Sequence, residues 1–247
     1  MEIKAIGFDI GGTLVNYNKP LNWSASYENA IRFMCKKNNL EFTDERFKKA
    51  KSVLEKYNTR LNPREKEVSS DTIFGEIFKL WNEDNKKIFE CKKSFYLFFQ
   101  REANLYDDTK TILKYCKKNT IKTAVYTDVA YGMDDEFSLN DIKEISEFID
   151  LKLTSRIVGF RKPNKKGFEK MLQEFSCKTK ELLYVGDEKK DIEGIENIGG
   201  ISVLINRGND EKNFGQNYTV KTLDEIINII EKINKNTCKK MKKCIYF

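Results

Sequence analysis

The sequence predicts an α/β fold: a doubly wound parallel sheet, of Rossmann-like type, interrupted by one α-helical subdomain. Three observations predict it. From residue 107 onward, short apolar segments alternate with amphipathic helical ones, which is the pattern of a parallel sheet. One further apolar segment stands at the N-terminus, residues 5–10. Between them, residues 22–104 repeat apolar side chains at three- and four-residue spacing, the period of an amphipathic helix. The expected organisation is therefore a core from residues 1–15 and 106–247, with a helical cap at 16–105. A chain of 247 residues is long enough for such a core plus an insert.

Taken in order, residues 5–10 read as a buried strand stopped by Gly11-Gly12. In the insert, Ile31, Met34 and Cys35 define one helix face, and Ile73, Ile77, Phe78 and Trp81 another. The Asn62-Pro63 step marks a break between helices. The aromatic run 94–99 is expected to pack inside. Trp23, Tyr27, Trp81 and Tyr96 suit a helical core better than a pocket wall. Then follow a helix at 109–118, a strand at 122–127, a helix at 140–148 and a strand at 151–155. A helix at 166–175, a strand at 181–186, a helical turn from Asp191 and a strand at 201–205 complete the sheet.

Composition narrows the chemistry. Histidine is absent, which excludes Ser-His-Asp and Cys-His catalysis and His-ligated zinc. Acid–base work must fall to carboxylates, lysine, tyrosine or cysteine. The formal net charge is +7, but the basic residues are spread along the chain and lysine prevails over arginine. That reads as solvated helix faces and favours an anionic small molecule over nucleic acid as partner. The six cysteines include no CxxC pair and read as free thiols in a reducing, cytoplasmic setting. The N-terminal apolar run is too short and too acidic for a signal peptide, and no run approaches the ~20 residues of a membrane span. The tail ending Cys244-Ile245-Tyr246-Phe247 formally matches a prenylation box behind a basic cluster, but the motif is loose and the tail reads as a frayed basic terminus.

Four motifs carry the candidate chemistry. In Gly7-Phe8-Asp9-Ile10-Gly11-Gly12-Thr13-Leu14, a strand delivers Asp9 to its carboxyl end, where ligands bind in open α/β sheets. A carboxylate there can act as a nucleophile or a metal ligand. In Val125-Tyr126-Thr127-Asp128, a strand ends in a hydroxyl able to hydrogen-bond a phosphoryl oxygen. In Gly159-Phe160-Arg161-Lys162-Pro163, the proline holds Lys162 extended, and its ammonium could offset the charge at Asp9. In Leu183-Tyr184-Val185-Gly186-Asp187-Glu188-Lys189-Lys190-Asp191, two carboxylates at a strand end make an all-oxygen site suited to Mg²⁺. Asp187 or Asp191 could equally cap a helix.

The first motif alone resembles both the actin-like sugar kinases and the haloacid dehalogenase superfamily. A sugar kinase needs a second lobe and a second glycine-rich phosphate loop, and the chain offers no good copy. All four motifs, in this order at strand ends, resemble the haloacid dehalogenase superfamily with a helical cap inserted after the first motif. The resemblance implies that Asp9 is the nucleophile and that Thr127 and Lys162 hold the transferring group, with Gly12 and Thr13 helping to bind it. It implies Mg²⁺ on Asp9, Asp187 and the Gly11 carbonyl, with Asp191 supporting the metal directly or through water.

One position departs from the pattern. Phosphatases of this superfamily carry a second aspartate two residues after the nucleophile, which protonates the leaving group, and here that residue is Gly11. General acid–base help is worth about 10²–10⁴-fold. Asp128 is the expected substitute, as Thr127's neighbour at the same sheet end. The expected function is a Mg²⁺-dependent hydrolase of a small phosphorylated metabolite through an aspartyl-phosphate. Carbon–phosphorus or carbon–halogen hydrolysis, or weakly active phospho-ligand binding, are the alternatives.

Overall fold

The computed structural model describes residues 2–17, 22–100 and 103–244, with side chains as far as Lys235. Six strands form one parallel sheet in the order β5-β4-β1-β6-β7-β8. These are β1 (Ala5–Phe8), β4 (Lys122–Thr127), β5 (Leu151–Thr154), β6 (Leu182–Gly186), β7 (Ile201–Ile205) and β8 (Tyr218–Val220). β1 lies at the centre, with Phe8 opposite Val125 on one side and Val185 on the other. Every residue of β1 is buried, as expected of a strand covered on both faces. Alternation decides which face each residue serves. Ile6, Phe8, Val125, Leu183 and Val185 join one apolar cluster, and Ala5, Ala124, Tyr126, Leu182 and Tyr184 the other.

The helices that cover the sheet follow the sequence closely. α5 (Thr109–Lys118) and α8 (Lys166–Phe175) sit at the expected residues. α9 (Lys189–Glu196) begins two residues earlier than expected, because Glu188 caps it and Asp191 completes a reciprocal capping box. Residues 140–148 wind as a 3₁₀ run rather than an α-helix, after the short α6 (Asp135–Ser138). α7 (Ser155–Val158) and β8 were not anticipated. α10 (Glu225–Cys244) extends a segment expected to fray. The proposed prenylation site lies outside the described residues, as does the Cys244 side chain.

The insert forms a layer of four helices: α1 (Tyr27–Lys37), α2 (Asp44–Tyr57), α3 (Ser70–Trp81) and α4 (Ile88–Gln100). Each starts or stops for a local reason. The Thr43 and Ser69 side chains accept backbone N–H groups at the starts of α2 and α3, each worth about 1 kcal/mol. Asn82 adopts a left-handed conformation to end α3. The layer has its own core, in which Phe74, Phe95 and Tyr96 are fully buried in edge-to-face contact. Tyr27 and Trp81 are buried there too, as expected.

A feature with no counterpart in the expected layout connects layer and sheet. β2 (Val15–Tyr17) and β3 (Ala103–Leu105) pair antiparallel; β2 crosses the first expected boundary and β3 ends at the second. On the opposite side, the layer is clamped to the loop after β4. Gly132 has φ +63°, and a Cβ there would come within 2.0 Å of the Val68 carbonyl oxygen, so only glycine fits. Lys92 of α4 is buried between Asp71 and Asp134, at 2.7 Å from each. No helix among the described residues is long and apolar enough to cross a membrane.

Candidate active site

The carboxyl ends of β1, β4 and β6 open into a cleft of about 710 Å³, roofed by the helical layer. Asp9, Gly11, Gly12, Thr127, Asp128 and Asp187 all line it. From the layer come Trp23, stacked on Phe99 at 3.7 Å, and Asn58, Arg60 and Gln100. Tyr131 and Met133, from the segment after the second motif, border it.

Asp9 stands one residue past β1 and is buried. Lys162 reaches it from the loop before α8, with Nζ 2.7 Å from Asp9 Oδ1 and 2.5 Å from Asp191 Oδ1. The same ammonium donates to the Tyr126 carbonyl at 3.2 Å and the Tyr184 hydroxyl at 3.3 Å. Its side chain is wholly buried. Burial alone would push the ammonium down, but Asp191 and Asp9 more than offset this and hold it charged.

Asp9, Asp187 and Asp191 bring one carboxylate oxygen each to within 4.8 Å of one another. Burial, and then the neighbouring carboxylates, push the Asp187 carboxyl well above the usual range. Burial likewise pushes Asp191 up, although Lys162 opposes it. Three carboxylates against one ammonium leave the cluster short of positive charge, and an all-oxygen donor set suits a hard divalent cation. The sequence placed these residues together, and the structure brings them together. Asp191 is the most committed of the three: one oxygen takes Lys162 and the other accepts the Glu188 N–H at 3.0 Å.

Gly12 and Thr13 take other roles than the expected one. Gly12 has φ +73°, and a Cβ there would strike the Asp187 carboxylate at 2.4 Å. Its N–H is used within the turn, donating to the Val15 carbonyl at 2.9 Å. Thr13 is fully buried beneath the turn, and its carbonyl accepts Arg207 at 2.9 Å. Gly12 thus makes room for the second metal-type carboxylate, and Thr13 braces the turn. Gly12 still borders the cleft, whereas Thr13 lies outside its lining.

Asp128 stands in an ion-pair network of its own. Its carboxylate accepts the Lys162 backbone N–H at 3.0 Å and pairs with Lys190 at 3.2 Å and Arg161 at 3.8 Å. Burial would raise its pKa, but Lys190, Arg161 and Lys162 hold it below the ordinary carboxylate range. A carboxylate held ionised is not a leaving-group acid. Behind it, Glu67 of the layer pairs with Arg161 and accepts the Ser155 hydroxyl at 2.6 Å and Arg64 at 3.1 Å. The Arg161–Glu67 link joins the third motif to a residue of the helical layer 94 positions away, and nothing local in sequence signals it.

A family model described as haloacid dehalogenase-like hydrolase matches residues 3–199. The chain belongs to the haloacid dehalogenase-like hydrolases, and is a hydrolase. Over 96 residues it is 32% identical to a glyceraldehyde 3-phosphate phosphatase of Methanocaldococcus jannaschii, covering 37% of this chain and 42% of that one. The chain thus matches less than half the length of that relative. It is 26% identical over 244 residues to a Clostridium perfringens protein provisionally named the pyrophosphatase PpaX, covering 94% and 99% of the two chains. Among solved structures, a 2-haloacid dehalogenase from Pseudomonas syringae superposes with a TM-score of 0.67 at 16% identity, covering 93% of this chain and 99% of that one. That likeness is one of fold.

Proposed function

We propose that this chain is a Mg²⁺-dependent phosphohydrolase that acts on a small phosphorylated metabolite through an aspartyl-phosphate on Asp9. The observation that carries the reading is the buried, negatively unbalanced cluster of Asp9, Asp187 and Asp191 around Lys162 on the floor of the cleft. The names of the two sequence relatives, both taken from phosphate chemistry, support it.

Asp9 attacks phosphorus, and the leaving oxygen departs into the cleft. Lys162 holds Asp9 in place by one oxygen and offsets the charge that accumulates as a phosphoryl group arrives. Asp191 keeps Lys162 in that position. Thr127, at the cleft wall, donates its hydroxyl to a phosphoryl oxygen. Asp9, Asp187, the Gly11 carbonyl and, directly or through water, Asp191 would hold Mg²⁺. Bound there, the ion would neutralise the carboxylates and withdraw charge from the phosphoryl oxygens. The helical layer, residues 16–105, serves as the cap that screens the site from water. The free thiols at Cys35, Cys91, Cys116 and Cys177 suit a cytoplasmic setting.

Two observations weigh against the alternatives. A carboxylate set with room for a cation is superfluous for displacing halide. Carbon–phosphorus cleavage through a Schiff base needs a cap lysine in the cleft, and among the described residues the lining draws no lysine from the helical layer. Lys92, the layer's buried lysine, is consumed by Asp71 and Asp134.

The test is phosphate release from acetyl phosphate and from an alkyl phosphate, with and without Mg²⁺, in wild type and Asp9→Asn. Mg²⁺-dependent release that vanishes in the variant is expected. Release that persists in Asp9→Asn would rule the mechanism out.

A further inference from the structure

The helical layer is an insert, and an insert held only at the β2–β3 ribbon could swing about it. This one has a second attachment, in the connection between α2 and α3. There Lys66 pairs antiparallel with Phe160, in the segment that carries Lys162. The Glu67 N–H donates to the Gly159 carbonyl at 3.0 Å, and the Arg161 N–H to the Glu65 carbonyl at 2.8 Å. Strand-type hydrogen bonds thus run directly between the layer and the loop before α8.

Side chains close the same seam. The buried Glu67 carboxylate pairs with Arg161 and accepts the Ser155 hydroxyl at 2.6 Å. The Ser70 hydroxyl of α3 donates to Asp134, which also pairs with Lys92 of α4. Val129, Tyr131 and Met133 belong to the loop after β4, yet they are buried in the apolar core of the layer. The Tyr131 carbonyl accepts the Tyr96 hydroxyl at 3.0 Å, and the Tyr131 hydroxyl hydrogen-bonds that of Tyr27. Tyr131 also has φ +49°, a left-handed backbone that persists in a tyrosine only where surrounding contacts fix it. Swinging the layer away would break the backbone bonds and the buried ion pairs, and would pull these side chains into water. The cleft, meanwhile, already reaches solvent, because the exposed residues Asn22, Ser24 and Arg60 line it.

We propose that the helical layer is a fixed roof and not a swinging lid. The seam between residues 65–70 of the layer and residues 129–134 and 159–161 of the sheet region stays closed throughout turnover. Substrate enters and product leaves by the mouth of the cleft, with the roof in place. The inference concerns the roof alone and does not depend on which bond the site breaks.

The test locks the seam covalently. Lys66 and Phe160 face each other as a non-hydrogen-bonded pair, flanked by the backbone bonds on either side. Such pairs hold their Cα atoms about 4.5 Å apart, within the reach of a disulfide. Neither residue lines the cleft. The double variant Lys66→Cys, Phe160→Cys is oxidised, and the cross-link is confirmed by peptide mass. The oxidised form is expected to release phosphate from acetyl phosphate and phenyl phosphate with the kcat and KM of the same protein after reduction. A lid that has to open would lose turnover on oxidation and regain it on reduction, and that result overturns the inference. Small-angle scattering of the wild type needs neither the variant nor turnover. Its radius of gyration is expected to be the same without ligand and with Mg²⁺ and inorganic phosphate, and to equal that of the oxidised variant. A larger radius in the ligand-free wild type also overturns the inference.

Discussion

Two clusters of buried charge lie side by side at the carboxyl ends of the central strands, and they differ in balance. In the first, Lys162 faces three carboxylates, and burial drives Asp187 and Asp191 toward protonation. In the second, Asp128, Glu67 and Glu188 meet Arg161, Arg64 and Lys190, and Asp128 is held below the ordinary carboxylate range. Burial of charge is common to both, so burial alone does not mark a catalytic centre. The unmatched negative charge sets the first cluster apart: it is balanced only with a further cation beside it. The second is complete as it stands, and ties the helical layer and the Lys162 loop to the sheet.

Substitutions should separate the two. Asp9→Asn is expected to give the largest effect, lowering Mg²⁺-dependent phosphate release by about 10⁴-fold or more, in line with the loss of a nucleophile elsewhere. Its thermal stability should change little by comparison. Asp128→Asn should do the reverse. It leaves Arg161 and Lys190 facing a neutral group, and breaking a buried pair costs about 3–5 kcal/mol, read by urea unfolding. The pH dependence follows from its depressed carboxyl. The folded value lies below the unfolded value of about 3.9, so the stabilisation is fully present above that value and is lost as pH falls through the folded one. Wild-type and Asp128→Asn stabilities should therefore differ by a constant amount from neutral pH down to about 5 and converge below about 4. If Asp128→Asn instead abolished turnover without loss of stability, the second cluster would have to be counted as catalytic.

Mg²⁺ gives a smaller effect that sharpens the same contrast. At about 100 times its Kd, an ion bound only by the folded state adds about 2.7 kcal/mol, seen as a rise in Tm that chelation reverses. Asp187→Asn should remove most of that rise, and Glu67→Gln should not. The smallest effect concerns Asp141. Its raised carboxyl favours the folded state below the unfolded pKa, and that advantage is lost as pH rises through the folded value. Burial disfavours the charged form of this carboxyl, so Asp141→Asn, which still offers an oxygen to Tyr17, should hold or raise stability by about 0.5–1 kcal/mol at neutral pH. A marked fall in Tm at pH 7 would make Asp141 a structural anchor.

The first cluster was largely legible in the sequence, and the second was not. Asp9, Thr127 and Asp187 each belong to a short motif at a strand end, so the topology of a parallel sheet brings them together, while Lys162 follows α7 and reaches them from the loop before α8. Asp128 sits in the same motif as Thr127 and was read as an acid. Its function depends on Lys190 and Arg161, whose approach is set by tertiary packing. The β2–β3 pairing escaped notice for a similar reason. β2 and β3 have three residues each and pair across the whole insert, so neither shows a strand period. Gly12 and Thr13 were assigned to substrate from their motif alone, whereas the tightness of the turn commits the Gly12 N–H and buries Thr13.

The most direct test of the central claim is to trap the covalent species. Enzyme mixed with acetyl phosphate and Mg²⁺ is quenched in acid within one turnover and its peptides are analysed by mass spectrometry. The account predicts a phosphoryl group on the peptide that carries Asp9, lost when Mg²⁺ is chelated and absent from Asp9→Asn. Phosphate released in a single turnover with no phosphoryl group on that peptide, or a phosphoryl group on another residue, would contradict it.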